Sequence, residues 1–177
     1  METLSQANSM QISELLLPEF DTEIAVSRKV LERVPDDRGE WKPHAKSFPL
    51  GHLAQLVARL PAWANMVLDR TTLDIAPVNG PSFPGYSFEK TATLLAEFDA
   101  NAKTGRAAIA RASDADYAVI WTLQRAGTTI QSMTRYIALR SMVLNHLVHH
   151  RAQLGLYLRM LDLQVPQMYG PTADDKR

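Results

Sequence analysis

The stretch Asn145-His146-Leu147-Val148-His149-His150-Arg151-Ala152-Gln153-Leu154 lies inside the longest amphipathic segment of the chain, about Met133 to Leu163. Stepping ~100° per residue from His146 places Leu139, Val143, Leu147, His150, Leu154, Tyr157 and Leu161 within one ~100° arc, as on a helix with a single buried face. His149 falls ~60° to the far side of His146, outside that arc. His146 and His150 share a face one turn apart, and two imidazole nitrogens so placed can reach one ion at ~2.0–2.1 Å. The glutamate base of the zinc-protease motif is missing from this stretch, which excludes that chemistry. A second reading of the pair stays open: two hydrogen-bonded core histidines, or the lining of a dry interface. His52 and His44 are the other histidines available to complete a metal site. His149 reads as a solvent-facing neighbour.

Moving outward, three more helical patterns precede this one. Phe20, Ile24, Ser27, Leu31 and Val34, with Val30 beside them, mark a first helix over about Pro18 to Val34. Leu50, Leu53, Leu56, Val57, Leu60, Ala64 and Val67 form the stripe of a second helix beginning near Pro49, which Pro61 should kink or divide. Pro77, Gly80, Pro81 and Pro84 then mark a long loop over residues 71–86. Ser87 is the expected N-cap of a third helix carrying Phe88, Ala92, Leu95, Phe98, Ala102, Ile109 and Ala112, stopped by Ser113 and Asp114. Before the last helix the period changes. Tyr117, Val119, Trp121 and Leu123 alternate, Arg125-Ala126-Gly127 turns, and Thr128 to Ile130 returns, which predicts a small β-hairpin laid on the helices.

Composition narrows the function classes. The chain has 177 residues, which predicts one domain over residues 1–177, with 1–15 and 166–177 irregular. With no cysteine, a disulfide scaffold, a thiolate nucleophile and an iron–sulfur cluster are excluded. Nineteen Lys+Arg balance 19 Asp+Glu, which argues against a nucleic-acid binder. No run reaches the ~18 apolar residues of a membrane span, and no secretory signal is visible, so a cytoplasmic protein is expected. Dinucleotide, P-loop and serine-hydrolase signatures are absent as well. Trp41, Trp63 and Trp121 read as core anchors, and Arg135, Arg140 and Arg151 as solvated or salt-bridged side chains.

At the histidine cluster the sequence resembles the DinB-like superfamily. Leu17-Pro18-Glu19-Phe20, Trp41-Lys42-Pro43-His44, Leu50-Gly51-His52-Leu53-Ala54 and Tyr169-Gly170-Pro171 support the likeness, and Asn145 to Leu154 carries most of it. It spans roughly Leu16 to Pro171. The resemblance implies an all-α four-helix bundle with one long crossover, commonly a homodimer, to which the sequence adds the β-hairpin. It further implies a divalent metal, zinc or nickel, on three histidines, two of which map onto His146 and His150. The family's third histidine aligns with Leu56. His52, one turn earlier, is the provisional replacement, with Asn145, Gln153 and Tyr157 as neighbours of the ligands.

Two functions follow as expectations. One is a metal-dependent thiol transferase or hydrolase acting on a small molecule, with His52, His146 and His150 holding the ion. The other is a metal-free, non-catalytic dimeric bundle that binds a small apolar ligand or serves a stress response.

Overall fold

Glu14 starts the first helix earlier than the apolar pattern suggests. Its carboxylate accepts the Gln11 N–H at 2.9 Å, and Asp114 accepts the Ile12 N–H at 2.9 Å, so two of the orphan donors of a helix start are satisfied. Helix α1 therefore runs Ile12–Leu31, with Pro18 inside it rather than opening it. In the computed structural model residues 10–80 and 84–175 are described; residues 1–9 and 176–177, expected to be irregular, and the breaker Pro81 lie outside the described residues.

The second pattern divides at Pro61 as its chemistry requires, since proline lacks an N–H and clashes with the preceding turn. Helix α2 (Leu50–Arg59) passes through a 3-10 turn, Leu60–Ala62, into α3 (Trp63–Leu68). All seven residues of the expected stripe are buried. The following loop contains one element that was not expected, strand β1 (Thr72–Asp74).

Helix α4 spans Thr91–Arg111, so Ser87 is not its cap. The chain stays extended to Lys90 because Phe88 sits on two glycines; a Cβ on Gly51 would stand 2.5 Å from the Phe88 Cβ. Thr91 then begins the helix, its N–H donated to Asp36 at 2.7 Å.

Ser113 caps a short helix, α5 (Asp114–Ala118), in which Tyr117 lies. Its hydroxyl donates to the Ile109 carbonyl at 3.0 Å, and burial pushes the phenol up to about 12. The expected strand thus starts later, with β2 at Ile120–Arg125, and β3 extends to Thr128–Thr134. The hairpin is the edge of a three-stranded sheet, order β1-β2-β3. Strand β1 pairs parallel to β2 through Leu73 and Leu123, and β2 antiparallel to β3 through Trp121 and Met133. Ala126 (φ 51°) and Gly127 (φ 76°) make the two-residue turn. Asp74 holds that turn by accepting the Ala126 and Gly127 N–H groups at 3.1 and 2.7 Å.

The last helical run comprises α6 (Arg135–Ala138), a π-helical segment (Leu139–Leu144) and α7 (Asn145–Met160). It begins two residues later than Met133 because β3 claims those positions. Helices α1, α2–α3, α4 and α6–α7 form the bundle, α4 packing on α1 and α2 and α7 on α1 and α2. One apolar cluster joins the sheet to the bundle through Phe20, Trp121, Leu139 and Val143. The other fills the opposite end with Leu31, Leu53, Phe98 and Leu147. The tail beyond Met160 has no further helix or strand among the described residues. It is tied down by Arg159 on Asp174 and by Tyr169 on Glu23 and Arg151.

Candidate functional site

Helix α7 carries the histidines at the point where the π-helical segment gives way to α-helix. Segments of this rare geometry recur at functional sites because they disturb the regular ladder of carbonyls. His150 is buried and His146 half-buried. Their Nε2 atoms approach to 2.8 Å, and His150 Nδ1 lies 2.8 Å from Gln153 Oε1. With the Gln153 carbonyl accepting, His150 holds its proton on Nδ1, so its Nε2 accepts from His146 Nε2–H. That leaves His146 Nδ1 unprotonated, and it is a buried atom with no hydrogen-bond partner. The nearby Met142 carbonyl favours the reverse ladder, with the His146 proton on Nδ1 and the Gln153 amide turned to donate. The chain Gln153–His150–His146 thus has two proton arrangements related by moving both protons.

Burial dominates the titration of this pair. It lowers both imidazole pKa values, His150 and His149 lowering that of His146 further, and His149 that of His150. The two rings are accordingly neutral near pH 7, one donor and one acceptor. His146 also meets solvent-accessible space, a shallow cavity of about 330 Å³ lined with Ser141, Met142, Asn145 and His149. Trp63 stands edge-on to it at 6.2 Å.

Apart from Gln153, the other expected site residues make their contacts elsewhere. His52 is sandwiched between Phe48 (4.3 Å between ring centroids) and Tyr86 (3.8 Å), with Arg59 over the far ring at 5.0 Å. Burial, and then Arg59 and His150, lower its pKa. Leu56 is buried in the second apolar cluster. His44 is exposed and accepts the Lys46 N–H. Tyr157 packs edge-on against Trp41 at 5.6 Å, and Asn145 is exposed. Of the three neighbours expected for the ligands, Gln153 alone hydrogen-bonds to either histidine.

As placed here, His52 does not join His146 and His150 around a common point. Two nitrogens sharing an ion at ~2.0–2.1 Å in tetrahedral geometry stand about 3.3–3.4 Å apart. The Nε2 atoms here are closer, at hydrogen-bonding distance. Among the described residues no group of three His, Cys, Asp or Glu side chains is arranged to hold a metal ion.

The pattern of apolar residues did not single out a buried polar network beside the pair. Arg151 is 1% exposed; its Nη1 donates to Glu23 Oε2 at 2.5 Å and to Ser27 Oγ at 3.3 Å. Tyr169 closes the network, its hydroxyl accepting from Arg151 Nη2 at 2.7 Å and donating to Glu23 Oε1 at 2.8 Å. The available signal was Glu23 itself, a carboxylate three residues after Phe20 and four before Ser27 on the buried face of α1.

Two solved structures share this architecture. A DinB-like protein from Bacillus cereus matches at 20% identity and TM-score 0.66, over 90% of this chain and 98% of that one. A DinB-like protein from Bacillus subtilis matches at 15% identity and TM-score 0.64, over 87% of this chain and 96% of that one. No family model and no curated protein matches the sequence. The chain has the DinB-like fold, and no helix among the described residues is long and apolar enough to cross a membrane.

Proposed function

We propose that this DinB-fold chain acts on a small molecule in the groove above α7, and that His146 and His150 serve it as a metal-independent proton-transferring pair. The observation that carries this reading is the continuous ladder Gln153–His150–His146, with both contacts at 2.8 Å, ending on the His146 ring that lines the groove. His146 is the group that meets the ligand. His150 and Gln153 are positioning residues that set which of its nitrogens carries the proton. Imidazoles with pKa values held below the usual one remain neutral at pH 7, where they can take a proton from one atom and return it to another.

A metal-dependent thiol transferase or hydrolase, with zinc or nickel on His146, His150 and His52, is the second reading. The convergence of two Nε2 atoms and the anchoring of His150 Nδ1 by Gln153 favour it, because ligating imidazoles are commonly oriented through their other nitrogen. Leu56 and the stacked His52 oppose it. Self-association into a homodimer belongs to both readings, supported by the exposed Leu156 and Met160 on the outer face of α7. Light scattering tests that part: a monomer mass at micromolar concentration removes it.

Turnover of a thiol donor with an electrophilic acceptor, and of activated esters, separates the readings. The metal-independent pair predicts turnover unchanged by a chelator and lost in His146→Ala. Turnover that appears only after zinc or nickel loading supports the second reading. Absence of turnover under every condition leaves the non-catalytic bundle and refutes the proposal.

A further inference from the structure

We propose that strand β3 is an interface between two copies of this chain, which pair antiparallel about a two-fold axis at Ser132 and join their three-stranded sheets edge to edge. Strand β3 forms one edge of the sheet, order β1-β2-β3. Its seven residues, Thr128–Thr134, carry no charge and no proline, and the first five are exposed. Free edges of soluble proteins are commonly short, or guarded by lysine, proline or an inward charge, since an open row of N–H and C=O groups templates further pairing. The opposite edge, β1, follows that rule with three residues and a carboxylate, Asp74. On β3 the one irregularity is a bulge at Ile130, near the turn, and residues 131–134 pair regularly with β2.

The register fixes which groups are open. Thr122 donates its N–H to the Thr71 carbonyl at 2.9 Å, and the Gln124 carbonyl accepts the Ile75 N–H at 3.0 Å, so these two residues turn their backbone groups toward β1. In an antiparallel ladder the residue opposite turns its own groups the other way, which aims those of Ser132, opposite Thr122, out of the sheet. Among the described residues neither the Ser132 N–H nor its carbonyl has a partner. Thr134 has an outward N–H as well, but its carbonyl is committed to the first turn of α6, where Thr134 is the N-cap. Ser132 is therefore the one position in the regular stretch that both donates and accepts outward. Two copies centred on it exchange both bonds between Ser132 and the partner subunit's Ser132. A second copy is the occupant because β3 paired with itself sets no like charges opposite each other. Arg125 lies beyond the turn end of the strand, and Arg135 is 8% exposed and bonded to the Arg70 carbonyl. The same register sets Ile130, 49% exposed, opposite Thr134 of the partner subunit. The neighbour of Thr134 on β2 is Ile120, 57% exposed, so exposed isoleucines of two copies come into nearby positions across the joined edge. This edge is separate from Leu156 and Met160 on α7 and does not rest on the histidine reading.

The chain has no cysteine, so Ser132→Cys reports on this contact alone. Directly opposed residues of a hydrogen-bonded antiparallel pair have Cα atoms about 5.5 Å apart, inside the range a disulfide spans. The expected result is a covalent dimer of Ser132→Cys on mild oxidation, formed at least about tenfold faster than that of Leu156→Cys. Light scattering of the wild type at about 100 μM, above the dissociation constant of a micromolar contact, should give the dimer mass. Ser132→Pro removes a donor that the monomer leaves open, and should weaken dimerisation at least about tenfold with little change in Tm at low concentration. Ser132→Lys keeps every backbone bond of the monomer and sets two ammonium groups opposite each other, which should weaken the dimer severalfold. A monomer mass for the wild type would overturn the proposal and leave the edge to a foreign strand. A dimer undiminished in both Ser132→Pro and Ser132→Lys, or cross-linking of Leu156→Cys in preference to Ser132→Cys, would overturn it by placing the contact elsewhere.

Discussion

Replacing Glu23 by alanine takes the carboxylate away from a guanidinium that water cannot reach. Arg151 is 1% exposed and Glu23 6%, and their contact runs Nη1 to Oε2 at 2.5 Å. Breaking a buried pair from one side costs about 3–5 kcal/mol, because the remaining charge keeps its desolvation penalty and loses its partner. Ser27 Oγ, the Glu23 carbonyl and the Tyr169 hydroxyl still accept from Arg151 after the change, which places the cost near the lower end, about 3 kcal/mol. For a chain of this size that corresponds to a fall in Tm of roughly 6–12 °C. Glu23→Leu combined with Arg151→Met removes both charges and fills the space, so most of the loss should return. The assay is urea unfolding of wild type, Glu23→Ala, Glu23→Leu, Arg151→Met and the Glu23→Leu/Arg151→Met double, the last three read against wild type as a coupling energy of at least about 2 kcal/mol. A cost under about 1 kcal/mol for Glu23→Ala, or additive single effects, would refute the buried network as the element that fixes α7 against α1.

Burial holds the pKa values of His146 and His150 below the unfolded value of ~6.5, so in that window the unfolded chain binds more protons. Stability should therefore be full above about pH 7 and fall as the pH drops toward 5, a slope that His146→Asn/His150→Asn largely flattens; a Tm constant from pH 7.5 to 5 contradicts this. Ala126 adopts φ 51° without being glycine, and Ala126→Gly should raise stability by about 0.5–1 kcal/mol in urea unfolding, whereas a loss would place the strain elsewhere. Leu56→His should tighten zinc binding at least about tenfold by supplying a third imidazole, with His52→Ala silent in the wild-type background. Calorimetry showing the opposite pattern would make His52 the third ligand.

The long apolar stripes were legible because helix period and burial are local arithmetic. Leu50 to Val67 and Leu139 to Leu154 needed only their spacing, and Pro61 announced its own break. Ends were less legible because tertiary partners set them. Asp114 and Glu14 begin α1, Phe88 in its glycine slot delays α4, and Thr72–Asp74 becomes a strand only because β2 lies beside it. In the candidate site, the spacing of His146 and His150 did place them side by side. Spacing could not reveal that their nitrogens meet each other, nor that Phe48 and Tyr86 enclose His52, since both depend on side-chain directions across the groove.

Metal content of the untagged protein, purified after incubation with zinc or nickel at neutral pH and passed through a weak chelator, tests the central claim most directly. A metal-independent histidine pair predicts far less than one ion per chain, with His52→Ala indistinguishable from wild type. One tightly held ion per chain, lost on changing His146, His150 or His52 to alanine, would contradict it.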